Sequence, residues 1–231
     1  MIPIRDENPS TSAPVMTLLL LVANIAAFLY EMALPEQALQ AFIMERGAVP
    51  VRVTTEPLFS GNFPPALTLL SSMFLHGSFM HLAGNMLYLW IFGNNVEDRT
   101  GKVRFLLFYL LSGLAAAGVQ IVASPHSNVP MIGASGAIAG VLGAYLLLFP
   151  HARVLTLIPI IFFIRLVELP AVLVLGLWFL FQILMSLSQQ PGSGGVAFFA
   201  HIGGFVAGML LIWVFLKRHP AARGFSPADD R

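Results

Sequence analysis

Long apolar runs alternate with short polar connections along this chain. Six runs approach the roughly 20 apolar residues that a helix needs to cross a bilayer core. They lie at about 15–33 (VMTLLLLVANIAAFLYEMA), 79–96 (FMHLAGNMLYLWIFGNNV), 103–123 (VRFLLFYLLSGLAAAGVQIVA), 134–149 (ASGAIAGVLGAYLLLF), 167–187 (VELPAVLVLGLWFLFQILMSL) and 197–216 (AFFAHIGGFVAGMLLIWVFL). The fourth is short. The pattern predicts an all-α polytopic membrane protein with six transmembrane helices. The stretch TLIPIIFFI (156–164) is also apolar, but it has only nine residues and contains Pro159. It is expected to be a short interfacial or partly buried segment and not a span. No internal repeat or soluble domain is visible.

The connections differ in length. The first, about 34–78, is much the longest. It holds a helical-looking piece, PEQALQAFIMERG, and then sequence punctuated by Pro and Gly. Its apolar residues, among them Phe42, Ile43, Phe59, Leu67, Leu69 and Leu70, predict a loop lying in the membrane interface. SPHSNVPMIG and SQQPGSGG are short and rich in turn formers.

Composition supports the membrane reading. Of the 231 residues, 57% are hydrophobic and 10% charged, whereas soluble domains carry about 25% charged residues. The mean hydropathy is +0.82. There is no cysteine, which excludes disulfides, a thiolate nucleophile and Cys-ligated metal or haem. The N-terminal MIPIRDENPSTSAP carries Asp6 and Glu7 and lacks the Arg/Ser-rich pattern of a transit peptide. The run after it is longer than a usual signal-peptide apolar region, so it is expected to be a retained first span.

The net charge of +1 says little, but the placement of charge says more. With the N-terminus in the cytoplasm, the cytoplasmic segments hold Arg5, Arg99, Lys102, Arg104, Arg153, Arg165, Lys217, Arg218, Arg223 and Arg231. Only Arg46 and Arg52 face outward, both in the first loop. Lys and Arg collect on the cytoplasmic side, so an N-in, C-in orientation is expected. The organisation read from this is a cytoplasmic tail at 1–14, a membrane domain at 15–217 and a cytoplasmic tail at 218–231, with no seventh span and no extra domain.

In that orientation spans two, four and six all begin at the outer face. Their first turns carry His81 and Asn85, then Ser135, then His201. At 1.5 Å per residue all four lie within roughly 10 Å of their helix starts. Polar and ionisable groups in membrane segments are costly and usually functional. Taken singly, each has a plain explanation. Ser135 and the Gly136-x-x-x-Gly140 face suit close helix packing, and His201, His81 and Asn85 suit hydrogen bonds between helices. Taken together they admit chemistry. Ser135 at a helix start is a candidate nucleophile, where free N–H groups favour negative charge. Gly133 and Gly136 around it would let a substrate backbone come close. His201 is a candidate general base. His81 and Asn85, four residues apart on one helix face, are candidate oxyanion donors. Gly204-x-x-x-Gly208 is expected to touch another helix, with span four as its partner. His76 stands just before span two and is expected to hydrogen-bond a loop. His126 is in a short outer connection, and His151 and His219 fall on the cytoplasmic side, away from this cluster.

Several mechanisms are excluded. Asp6, Asp98, Asp229 and Asp230 all fall outside the predicted spans, so an aspartyl protease with two buried carboxylates fails. No acid stands near the outer ends of spans two, four or six. A Ser-His dyad is therefore the most these residues allow. GASGA is not a G-x-S-x-G elbow, and there is no HExxH pattern for a metal.

The residues FLHGSFMHLAGNMLYLWIFGNNVEDRTG (74–101), GASGAIAG (133–140) and AHIGGFVAG (200–208) resemble the rhomboid intramembrane serine proteases. The resemblance extends over nearly all six runs. It implies a six-helix bundle of the bacterial type with an outward-facing, water-filled cavity. It also implies Ser135 as nucleophile and His201 as base, and an oxyanion held by His81, Asn85 and the Ser135 N–H. His76 would have a supporting role. No cofactor, metal or nucleic acid is implied; the partners are the lipid bilayer and single-span or other transmembrane substrates, cleaved near the outer membrane surface. The expected location is a bacterial inner membrane. Two features depart from relatives. Ala139 stands where some carry an aromatic residue against the histidine, so the imidazole is expected to be oriented by Phe198, Phe199 or a water. A Trp-Arg pair seen in some members is missing, with Leu67 and Thr68 near that place. Two other readings compete: a catalytically silent rhomboid-like protein that holds membrane helices, and a small transporter, which would call for inverted repeats that are not seen.

Overall fold

The structure is a computed structural model that describes residues 1–160, 163–188 and 195–217. The expected tail at 218–231, with His219, and most of the SQQPGSGG connection lie outside the described residues.

Apolar periodicity becomes helix at each of the six runs. These helices are α1 (Val15–Ala33), α5 (Phe79–Thr100), α6 (Lys102–Ala123), α7 (Ser135–Leu148), α8 (Ala171–Ser188) and α9 (Phe198–Phe215). Four of them, α1, α6, α8 and α9, are each long and apolar enough to cross a membrane. α5 joins the short α4 (Pro65–Ser71) and a 3-10 turn (Ser72–Phe74) at a bend of 81°. α7 has 14 residues, which at 1.5 Å each gives about 21 Å against a core of about 30 Å. The long first connection folds into α2 (Glu36–Arg46), α3 (Pro50–Thr55) and α4.

α7 forms the centre, packed on α5, α6, α8 and α9. Its residues from Ala137 to Tyr145 are all buried. Small residues let α9 come close. A Cβ on Gly204 would collide with the Gly136 carbonyl, and one on Gly208 with the Gly140 carbonyl. Such contact suits membrane interfaces, where tight van der Waals packing substitutes for the hydrophobic effect between helices. The expected pairing of Gly204 and Gly208 with the fourth run is present.

The helical bundle carries one addition that the apolar pattern does not predict, a three-stranded antiparallel sheet. β1 (Ile2–Asp6) pairs with β2 (Arg153–Ile160), which pairs with β3 (Phe163–Pro170). Of the stretch 156–164, expected to be a short interfacial piece, residues 156–160 are thus in β2 and 163–164 in β3. The expected fifth run begins at Ala171 and not at 167. In β2, Val154 and Thr156 are fully buried while Arg153 and Pro159 face out. That two-residue period, with β-branched residues at alternate positions, selects strand over helix. Pro170 then disfavours helix in the residue before it and marks the boundary.

The first 14 residues are tied to the bundle. The Asp6 carboxylate accepts from Asn95 Nδ2 at 2.8 Å and from the Tyr145 hydroxyl at 2.6 Å. Thr11 and Ser12 donate to Asp98. α1 starts after Pro14 with no side-chain cap of its own. Glu97 of α5 supplies one, accepting from the N–H groups of Met16 at 3.0 Å and Thr17 at 2.8 Å. An anion at a helix start satisfies free donors and suits the dipole.

Candidate active site

Ser135 is the first residue of α7, and His201 lies in the first turn of α9. His201 Nε2 is 2.7 Å from Ser135 Oγ, a good distance for an O–H donor and a nitrogen acceptor. The Gly204 and Gly208 contacts set this separation, since they hold α9 against α7 one and two turns beyond His201. Both side chains line a cavity of about 840 Å³ together with His81, Gln120, Ser186 and Phe199. Among the described residues, its lining includes no carboxylate and, apart from histidine, no cationic side chain.

His201 is buried, and its other nitrogen is also engaged. Nδ1 lies 2.8 Å from Oε1 of Gln182 on α8. The Trp178 ring, one turn earlier on α8, faces the imidazole at 5.8 Å with planes 34° apart. Phe198 meets it edge-on at 6.4 Å. The expectation that Phe198, Phe199 or a water orients the imidazole is thus corrected in part. Phe198 meets it edge-on, Phe199 lines the cavity, and α8 adds Gln182 and Trp178 as partners that neither expectation named. The aromatic ring absent at position 139 is replaced by one from another helix.

The segment entering α7 is held by the long first connection. Ala48 and Met131 exchange backbone hydrogen bonds at 3.1 and 2.8 Å, and the Gly133 N–H donates to the Ser72 carbonyl at 2.8 Å. Gly133 has φ +122°, which side chains rarely tolerate. A Cβ there would stand 2.7 Å from His81 Cε1 and 3.7 Å from Asn85 Nδ2. The glycine therefore brings His81 and Asn85 against the backbone just before Ser135. The first N–H groups of α7 have no partner within the helix. On its other side, a Cβ on Gly136 would be 2.7 Å from Ala116 Cβ of α6.

His76, expected near a loop, hydrogen-bonds inside the site. Its Nδ1 donates to the Phe74 carbonyl at 3.3 Å, because a carbonyl only accepts. Nε2 is then an acceptor and takes one N–H of Asn85 at 2.9 Å. The His76 backbone N–H donates to the carboxylate of Glu31 at 3.1 Å. Asn85 is consequently a fixed donor with a second N–H to offer, and it sits a layer deeper than His81. Sequence reasoning missed three of these residues: Glu31, Trp178 and Gln182. Glu31 and Gln182 did carry a signal, since each is a polar side chain inside an apolar run and each is buried. Among the described residues, no three His, Cys, Asp or Glu side chains group as a metal site.

Comparison with known proteins places the chain in a family. The Rhomboid domain profile matches residues 65–218. The chain is 31% identical over 160 residues to rhomboid protein 1, mitochondrial, of Saccharomyces cerevisiae, covering 65% of this chain and 42% of the yeast protein. It is 27% identical over 174 residues to rhomboid-like protein 11, chloroplastic, of Arabidopsis thaliana, covering 70% and 56%. It is 36% identical over 142 residues to rhomboid protease GluP of Bacillus subtilis, covering 61% and 24%. The chain thus spans about half or less of the length of these relatives. It is a multi-pass membrane protein, and by the match over residues 65–218 it belongs to the rhomboid family.

Proposed function

We propose that this protein is an intramembrane serine endopeptidase that cleaves transmembrane substrates near the outer membrane surface. The observation that carries the proposal is the 2.7 Å approach of Ser135 Oγ and His201 Nε2 beside a large cavity. His201 Nε2 takes the hydroxyl proton as Oγ attacks the scissile carbonyl carbon. The carbonyl oxygen becomes an oxyanion, held by the Ser135 N–H, His81 and Asn85. As the C–N bond breaks, His201 returns the proton to the leaving amine, and an ester to Ser135 remains. Water then attacks that ester with His201 again taking a proton; as the bond to Ser135 Oγ breaks, His201 returns this proton to Oγ and the new carboxyl terminus leaves. A substrate helix must unwind locally, because a helical peptide bond hides its carbonyl in the helix.

The membrane domain covers residues 15–217 in six spans, N-in and C-in, in a bacterial inner membrane. Four residues are given the central roles: Ser135 nucleophile, His201 base, His81 and Asn85 oxyanion donors. His76, Gly133 and Gly136 support them. The test incubates purified protein with single-span polypeptides and identifies the products by mass. Ser135→Ala and His201→Ala each abolish cleavage while the protein remains folded. Cleavage retained by purified Ser135→Ala would refute the dyad.

A further inference from the structure

We infer that Gln182 is the residue that fixes the tautomer of His201, so that the reactive pair works as a chain of three side chains from α7, α9 and α8. The inference rests on the Ser135–His201 reading above and adds a member that reading does not contain.

The argument is one of donors and acceptors. Gln182 is 4% exposed, in a helix whose other residues are almost all apolar. A buried amide there is costly unless its hydrogen bonds are met. Its Nε2 donates to the Trp178 carbonyl one turn back at 3.2 Å. A carbonyl oxygen only accepts, so the amide nitrogen must face Trp178 and Oε1 must face the other way. Oε1 lies 2.8 Å from His201 Nδ1. An amide oxygen also only accepts, so Nδ1 carries the hydrogen and Nε2 is left with its lone pair. That lone pair is the one directed at Ser135 Oγ. The Trp178 carbonyl thus sets the amide, the amide sets the imidazole, and the imidazole is left in the only neutral form that accepts the serine proton. The Trp178 ring limits rotation of the imidazole out of this position.

A carboxylate does this work in the serine protease triad. Here a neutral amide does it, which introduces no charge into a cavity lined, apart from His81 and His201, by uncharged side chains.

The test uses the full chain in detergent and a rhodamine fluorophosphonate, which reports the reactivity of Ser135 without any substrate. Rates are normalised to the folded, monodisperse fraction. Gln182→Met keeps the volume and loses the acceptor. Its maximal rate of labelling falls tenfold or more, on the scale of a general base in the wrong form, while the probe concentration giving half that rate stays within twofold. Gln182→Glu keeps an oxygen acceptor and recovers most of the lost rate. Labelling of Gln182→Met at the wild-type rate would overturn the inference, as would equal losses in Met and Glu variants, which would mark a packing role. Ser135→Ala is run beside them: if it still labels, the dyad reading itself has failed, whatever Gln182 does.

Discussion

Asn85 donates to His76 Nε2 over 2.9 Å, although the two side chains are separated by the bend that opens α5. His76 is in turn held by the Phe74 carbonyl and, through its backbone, by Glu31. Asn85 is therefore oriented before any substrate arrives, and preorganised donors are the effective ones. Asn85→Ala is expected to lower the cleavage rate by roughly 10²–10³. His76→Ala leaves the donor in place but unheld and costs less. Turnover of the same single-span substrate by the two variants checks the order; a near-normal rate for Asn85→Ala removes it from this role.

Gly133 gives a second prediction. Its φ of +122° leaves no room for alanine, because an added Cβ would stand 2.7 Å from His81 Cε1. Gly133→Ala displaces either His81 or the start of α7. A displacement near 1 Å is worth about 10²-fold in rate. Gly61 also has a positive φ but nothing within 4 Å, so Gly61→Ala is the matched control and keeps its activity. Initial rates for both variants decide it.

The seam between α7 and α9 is expected to govern stability. Gly208→Ala places a methyl group against the Gly140 backbone, and overpacking of this kind costs about 1–3 kcal/mol. Gly176 of α8 has nothing within 4 Å, so Gly176→Ala is neutral or slightly stabilising by helix propensity. Unfolding titrations in mixed micelles, compared at their midpoints, separate the two.

Asp6 makes a prediction about pH. Burial pushes its carboxyl above the ordinary 3.8, against the opposing hydrogen bond from Tyr145. A raised value in the folded state means the protonated form is favoured by folding. The stability it contributes is full below 3.8 and is lost as pH rises through the raised value. Asp6→Asn keeps an acceptor for Tyr145 and Asn95 and does not titrate. Thermal unfolding from pH 4 upward is expected to show a decline in the wild type that is absent in Asp6→Asn; parallel curves would contradict it.

Much of the site is legible because its members are exceptions to their surroundings. Ser135, His201, His81 and Asn85 are polar groups in apolar runs, and the glycines beside them mark close backbone approach. Glu31 and Gln182 are exceptions of the same kind but gave no role. Glu31 stands at the end of its run, where an acid reads as interfacial. Gln182 has a role only if its face of α8 meets α9, and that is a property of two helices. Trp178 reads as one more apolar residue of the run. The strand pair β2 and β3 was hidden for another reason: short apolar stretches have no periodicity strong enough to separate strand from buried helix. The pairing of β2 with both β1 and β3 decides in favour of strand.

Residues near one another in the chain thus determined the helical runs, their approximate ends, the polar exceptions within them and the family motifs, because hydropathy and turn chemistry act locally. The tertiary structure alone decided that side chains 66 positions apart meet at 2.7 Å and which imidazole nitrogen faces the serine. Those depend on how closely α9 can seat against α7, and on what α8 presents across the gap.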